Sequence, residues 1–231
     1  MKKYDVVYML KPDFINNELR YSLRSLENFP HADVWFVGGQ PNELQPDKRL
    51  ITSQFGETKW EKVRGMLAKV CINEDVSDDF WLFNDDFFIL KPWKLGEAVY
   101  NGTLAEHIAH IESRHNDRAS TYTKQLRECE KELKQSRLGT LNYAVHCPML
   151  MNKEKLLETL RAFPDCPMFR SLYGNMWEIG GTQHKDCKII SRDVGLPEGA
   201  DFVSTEDEAF DWGAVGTHLR GWFPDKCEYE L

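Results

Sequence analysis

The chain has 231 residues, 42% of them hydrophobic and 29% charged, which is the balance of a globular protein rather than a disordered one. This length suits one domain with a small insertion and is enough to bury a sizeable core. The net charge of −8 argues against a general grip on nucleic-acid phosphates or on anionic membranes, both of which favour a basic face.

No apolar run approaches the roughly 18 to 20 residues of a membrane helix. The first seven residues hold two lysines but no secretory apolar stretch. A cytoplasmic setting is therefore expected, with cysteines 71, 129, 147, 166, 187 and 227 reduced. None of them forms a C-x-x-C pair, so no structural zinc site is expected.

Residues 4–10 form a short apolar run that predicts a buried strand, broken by Lys11-Pro12-Asp13. Asn16 or Asn17 caps a predicted helix to about Asn28, with Leu19, Leu23 and Leu26 at helical spacing and Arg20 and Arg24 on another face. Residues 33–38 read as a second strand closed by Gly38-Gly39, and Leu50-Ile51-Thr52 as a shorter one. A helix is predicted from about Lys59 to Ile72, with Val63, Met66, Leu67 and Val70 on one stripe. Phe80-Trp81-Leu82-Phe83 is a further buried strand that runs into Asn84-Asp85-Asp86, after which Phe87–Leu90 is apolar again. Strand and helix alternate through this half, which implies a mostly parallel sheet flanked by helices. Such sheets bind ligands beyond the carboxyl ends of their strands, where the acidic triplet falls.

Residues 104–137 are polar and helix-prone, with Leu126, Cys129 and Leu133 on one side, and read as a helical insertion, either a lid or a solvated prop. Tyr143–Met151 returns to strand-like composition, Lys153–Phe163 is a predicted helix, and Cys187–Ile190 is a candidate late strand. A short helix is expected near Ala214–Trp222. There is no G-x-G-x-x-G after the first strand, no P-loop and no G-x-S-x-G elbow, so dinucleotide oxidoreductases, P-loop enzymes and elbow hydrolases lose support.

The acidic triplet carries the main chemical signal. Burying adjacent carboxylates among bulky apolar residues is costly, and a divalent cation offsets that cost. Hard oxygen ligands suit Mg²⁺ or Mn²⁺, and such an ion neutralises charge building on a departing diphosphate. In an extended segment Asn84 and Asp86 would face one way and Asp85 another. The plain alternative is a strand-ending turn, where Asn and Asp are common.

Several stretches carry a resemblance: Asp5-Val6-Val7-Tyr8, Glu18–Leu26, Phe83–Phe88, His146-Cys147-Pro148, Ser171–Asn175, Phe202–Thr205 and Phe223–Glu230. Together they resemble the small glycosyltransferase-like proteins of phage genomes and the Stealth-type sugar-phosphate transferases. The resemblance implies a single GT-A (Rossmann-like) catalytic domain over residues 1–231, with the insertion at about 104–137. It also implies a nucleotide-sugar donor, a UDP-sugar being the expected form. The triplet departs from the usual Asp-X-Asp by having Asn84 first, so Asp86 is the firmest expected metal ligand and Asp85 the next.

On this reading Tyr8, Met9 and Leu10 meet the base or ribose. Arg20 and Arg24 pair with phosphate or with a site carboxylate, and Lys62 and Lys69 offer charge to the diphosphate. His146 is a candidate metal ligand or acceptor contact, and His218 a weaker one. Tyr173–Glu178 is expected to be a loop, with Trp177 as a stacking surface and Glu178 as a base. Glu206-Asp207-Glu208 with Asp211 is expected to be an acidic loop, Asp207 and Asp211 being candidate bases for the acceptor hydroxyl. The acceptor is a hydroxymethylated base in DNA, a glycan or a small molecule. Two other readings stand beside transfer of a sugar: transfer of a sugar phosphate, and a non-catalytic nucleotide- or carbohydrate-binding module.

Overall fold

The computed structural model describes residues 3–13, 15–52, 56–114 and 120–231. Residues 115–119, inside the expected insertion, lie outside the described residues. In chain order the elements begin with β1 (Asp5–Leu10), α1 (Asn17–Ser25, continued as a 3-10 turn over Leu26–Asn28), β2 (Val34–Gly38), β3 (Lys48–Leu50) and α2 (Lys59–Ile72). Next come β4 (Asp79–Phe83), β5 (Phe87–Ile89), β6 (Val99–Tyr100), α3 (Leu104–Arg114), α4 (Thr121–Gln135), β7 (Met149–Asn152), α5 (Lys153–Ala162) and α6 (Phe169–Met176). The last elements are β8 (Thr182–Gln183), β9 (Lys188–Ile189), β10 (Phe202–Thr205), α7 (Asp207–Trp212) and α8 (Ala214–Trp222).

The chain groups into two compact units. One comprises 1–94, 146–151 and 187–231, and the other 95–145 and 152–186. The first unit holds a five-stranded sheet in the order β3-β2-β1-β4-β7, with β1 parallel to both β2 and β4 and β2 parallel to β3. It also holds a three-stranded sheet in the order β5-β10-β9, with β10 antiparallel to β5 and parallel to β9. Continuous apolar runs form the central strands because helices cover both faces of a parallel sheet. Val6, Val7, Val34, Val37, Phe80 and Phe83 are all fully buried.

Helix α1 is fixed at its start by Asn16, whose side chain accepts from Leu19 N at 2.8 Å, a polar N-cap of the expected kind. Its buried face also carries two serines. Ser22 Oγ donates to the Phe87 carbonyl (2.5 Å) and accepts from the Tyr8 hydroxyl (2.9 Å). Ser25 Oγ accepts from Ile89 N at 3.0 Å. These bonds satisfy backbone groups of β5 that the short strand leaves over, in keeping with the rule that buried polar atoms are paired.

Three local expectations are corrected. The third strand is Lys48–Leu50 rather than Leu50–Thr52, because Lys48 pairs with Trp35 and Asp47 accepts from Val34 N at 2.8 Å, which fixes the register early. Residues 173–178 are not a loop: Tyr173–Met176 closes α6. Gly174 is required there by close approach, since a Cβ would lie 2.4 Å from the Tyr143 ring. The acidic stretch at 207–211 is likewise helical, with Asp207 and Glu208 in the first turn of α7, where the helix dipole favours negative charge.

In the second unit α3 and α4 do not form a wholly solvated hairpin. Leu104, Ile108, Leu126, Cys129 and Leu133 are buried together with Phe163, Cys166 and Leu172.

The carboxyl-terminal tail is anchored by Arg24. Its guanidinium grips Glu230 with two bonds (2.6 and 2.9 Å) and donates to the carbonyls of Phe223 (2.8 Å) and Pro224 (3.0 Å). Both side chains of the pair are almost wholly shielded from water. Removing one partner of such a pair strands the other charge. Arg24→Ala is therefore expected to lower stability by about 3 kcal/mol, read as a lower urea midpoint with an unchanged slope. An unchanged midpoint would show that the tail does not depend on this pair.

Candidate functional site

The acidic triplet is a turn, not an extended segment. Phe87 N bonds back to the Asn84 carbonyl (3.4 Å), and the chain passes from β4 in the five-stranded sheet to β5 in the three-stranded one. The expected alternation of Asn84 and Asp86 against Asp85 therefore does not apply, because the period-two rule needs an extended backbone. The turn does stand at the carboxyl end of β4, beside β1.

The two carboxylates have different surroundings. Asp86 is only 8% exposed. Its Oδ2 accepts from Ser204 Oγ at 2.6 Å and from Lys188 Nζ at 2.9 Å. Lys188 also lies 3.4 Å from Glu206. Burial pulls the pKa of the Lys188 ammonium down, but its pairing with Asp86 and then Glu206 outweighs this and leaves it above the usual lysine value. Asp85 Oδ2 accepts from Asn16 Nδ2 at 2.7 Å. Burial, with the charge of Asp86 adding to it, pushes the Asp85 carboxyl above the usual range despite that bond.

A third acid belongs to this neighbourhood. Glu18, in the first turn of α1, accepts from Thr205 Oγ1 at 2.5 Å. Burial, reinforced by the charges of Asp86, Asp85 and Asp207, pushes its pKa up to about 8. Asp207 is exposed at the start of α7 and close enough to act on Glu18.

The other sequence-predicted residues are distributed as follows. The Tyr8 ring is wholly buried against Phe36 and Phe83 with its hydroxyl bonded to Ser22, so it presents no side chain to a base. Leu10 is buried as well, and Met9 is partly exposed. Arg24 is taken up by the tail, and Arg20 pairs with Glu43. Lys62 is half-buried on α2 and forms no ion pair among the described residues, while Lys69 donates to Thr52.

His146 is half-buried ahead of β7, the strand next to β4. With Asp85 and Asp86 it does not make up a three-residue cluster able to hold a metal, and no such cluster occurs among the described residues. His218 is exposed on α8. Trp177 is held by α5: its indole N–H donates to Thr159 Oγ1 (3.0 Å) and the Lys155 carbonyl (3.1 Å), with the Lys155 ammonium over the ring. It is a packed residue rather than an open stacking surface. Glu178 is exposed in a left-handed conformation (φ 47°) that ends α6.

Sequence reasoning did not assign Glu18, Lys188, Ser204 or Thr205 to the site. Glu18 appeared only within a resemblance block, and Lys188 lies 102 positions from its partner Asp86. The one local signal was an acid in the first turn of a helix that follows β1.

Because Glu18 is raised in the folded state, it favours folding below the ordinary carboxylate value of 4.5, and that contribution is lost as pH rises through about 8. Glu18→Gln keeps an acceptor for Thr205 but cannot ionise. The melting temperature of the wild type is thus expected to fall by several degrees relative to Glu18→Gln between mildly acidic pH and pH 9. A difference that stays flat with pH would mean that Glu18 titrates normally.

No protein-family model matches the chain, and no curated protein matches it. Among solved structures, the galactosyltransferase LgtC in complex with donor and acceptor sugar analogs is similar over 97% of this chain and 98% of that one, at 11% identity and a TM-score of 0.51. An active-site mutant of LgtC is similar to the same extent. The glycosyltransferase GlyE of Streptococcus pneumoniae TIGR4 aligns with 80% of this chain and 46% of its own at 12% identity, with a TM-score of 0.38, too low to bear on function. This mixed α/β chain, with its mostly parallel central sheet flanked by helices, shares the fold of LgtC.

Proposed function

We propose that the chain is a metal-dependent glycosyltransferase that moves a sugar from a nucleotide-sugar donor, with a UDP-sugar the expected form, to an acceptor hydroxyl. The observation that carries this reading is the acidic turn at the carboxyl end of β4, on a sheet whose fold is shared with a galactosyltransferase bound to sugar analogs. Ligands of open α/β sheets bind at that edge.

The residues present fit a divalent cation. Asp85 and Asp86 are adjacent acids whose charges both act on Glu18, and the charge of Asp86 also raises the Asp85 carboxyl. Lys188 pairs with Asp86 and Glu206, whereas Asp85 is met by the neutral Asn16 amide and forms no ion pair among the described residues. Mg²⁺-type ions need one or two carboxylates when a substrate phosphate completes the shell. Asp85 and Asp86 would hold the ion, which supplies Lewis-acid stabilisation to the departing nucleoside diphosphate.

The chain's own groups position these ligands. Ser204 and Lys188 hold Asp86, and Asn16 orients Asp85. Burial and the neighbouring acids favour the neutral form of Glu18 while no cation is bound. With Tyr8 buried, the donor base would meet Met9 and the backbone at the end of β1. Asp207, exposed beside Glu18, is the carboxylate assigned to the acceptor hydroxyl.

A thermal-shift panel of nucleoside diphosphates and nucleotide sugars, with and without Mn²⁺, tests the reading, since a ligand of the folded state raises the melting temperature. The expected result is a shift that needs both metal and one nucleotide, is absent from Asp86→Asn, and accompanies a loss of transfer of about 10²-fold or more in that variant. If no nucleotide moves the melting temperature, the donor site is not there, and of the non-catalytic readings only a carbohydrate-binding module stands.

A further inference from the structure

A cavity of about 390 Å³ opens among α1, α7 and α8 in the first unit. Its walls combine charged and aromatic groups. Arg20 and Arg220 bring guanidinium groups, while Tyr21, Phe210 and Trp212 bring rings, with Asp211 beside them. Phe210 is the buried floor, stacked on Phe88 at 5.5 Å and tilted against Tyr21 at 5.8 Å. Trp212, by contrast, is 77% exposed. A tryptophan left in water at the rim of a cavity presents a broad apolar face that a ring can cover.

The cations are only partly committed. Arg220 donates to the Phe210 carbonyl at 2.9 Å and only distantly, at 3.4 Å, to Thr217. Arg20 pairs with Glu43 through one nitrogen, yet its Nε is shielded from solvent without a hydrogen-bond partner and lies 3.9 Å from Glu230. A guanidinium has five N–H donors, so both side chains keep donors over for a carboxylate or phosphate. Asp211 has no ion-pair partner among the described residues, which leaves an acceptor for hydroxyl groups. The close seating of α8 on α7 shapes the cavity: a Cβ on Gly216 would lie 1.7 Å from the Phe210 carbonyl.

Position links this cavity to the acidic turn. Asn16 bonds Asp85, and Glu18 bonds Thr205, at the first turn of α1. Arg20 faces the cavity four residues past Asn16, about 6 Å along the helix axis. The Arg20 wall of the cavity therefore lies about one helical turn from the Asn16 contact to Asp85.

We propose that this cavity is an acceptor subsite for a saccharide that carries an anionic group, a carboxylate or a phosphate. The assignment of acceptor rests on the glycosyltransferase reading, whereas the binding chemistry does not. The ring lies against Trp212 and Tyr21, the anion meets Arg20 and Arg220, and Asp211 accepts from ring hydroxyls.

The test is binding to the full chain without nucleotide or metal, followed by ligand-observed NMR with three probes: methyl glucuronide, glucose 6-phosphate and neutral methyl glucoside. One of the two anionic probes is expected to bind about tenfold more tightly than the neutral one, a margin set by one charge-assisted contact, and the tighter of the two names the anion. Trp212→Ala is expected to weaken that binding about tenfold. Trp222→Ala, an exposed tryptophan of α8 outside the cavity, is expected to leave it unchanged. Equal binding of all three probes, binding of none, an equal loss in both variants, or displacement of the saccharide by a nucleoside diphosphate would each overturn the proposal. Failure here together with an intact metal-dependent nucleotide shift removes the subsite alone. Loss of that shift removes the transferase reading.

Discussion

Asp86 is a charged side chain with almost no water around it, and the elements of the first unit are arranged so that its charge is met. A buried carboxylate without partners costs several times what an ordinary hydrogen bond returns. Ser204 from β10 and Lys188 from β9 supply the partners. Those strands reach the turn because β5, leaving the turn directly, pairs antiparallel with β10, which in turn runs parallel with β9. The second sheet is thus assembled around the place where the chain leaves the first.

Helix α1 joins this arrangement to the rest of the unit, and its faces do different work. Leu19 and Leu23 pack inward, while Ser22 and Ser25 complete the hydrogen bonding of β5. Its first turn reaches the acidic turn through Asn16 and Thr205 through Glu18. Its basic face holds the carboxyl-terminal tail through Arg24 and lines the α7–α8 cavity through Arg20. A disturbance of this one helix is felt at the sheet, the site and the tail together, because the same few residues serve all three.

The electrostatics of the site run against the burial around it. Glu18 and Asp85 are both raised by burial and by neighbouring acids. Such clustering of perturbed acids is a mark of sites that bind cations or move protons. A net charge of −8 therefore says little about local chemistry here: acids gather at the turn, while arginines gather around a cavity one helical turn away.

The sequence by itself determined the local elements. Apolar runs fixed β1, β2 and β4. The stripe of Val63, Met66, Leu67 and Val70 predicts a helix from about Lys59 to Ile72, and α2 has those bounds with Val63 only half-buried, as α8 has the expected Ala214–Trp222. These features are legible because periodicity and capping act over a few residues. The parallel sheet and the position of Asn84–Asp86 at a strand end followed from the same alternation of strand and helix. Tertiary structure alone decided that the triplet is a turn between two sheets, that Tyr173–Met176 and Asp207–Trp212 are helical, that Tyr8 faces the core, and that Arg24 serves the tail. It alone brought Lys188, Ser204 and Glu18 to the acidic turn. Those partners lie up to 118 positions apart, and no local pattern encodes which distant side chain will neutralise a buried charge. That choice is made only when the sheets pair and water is excluded.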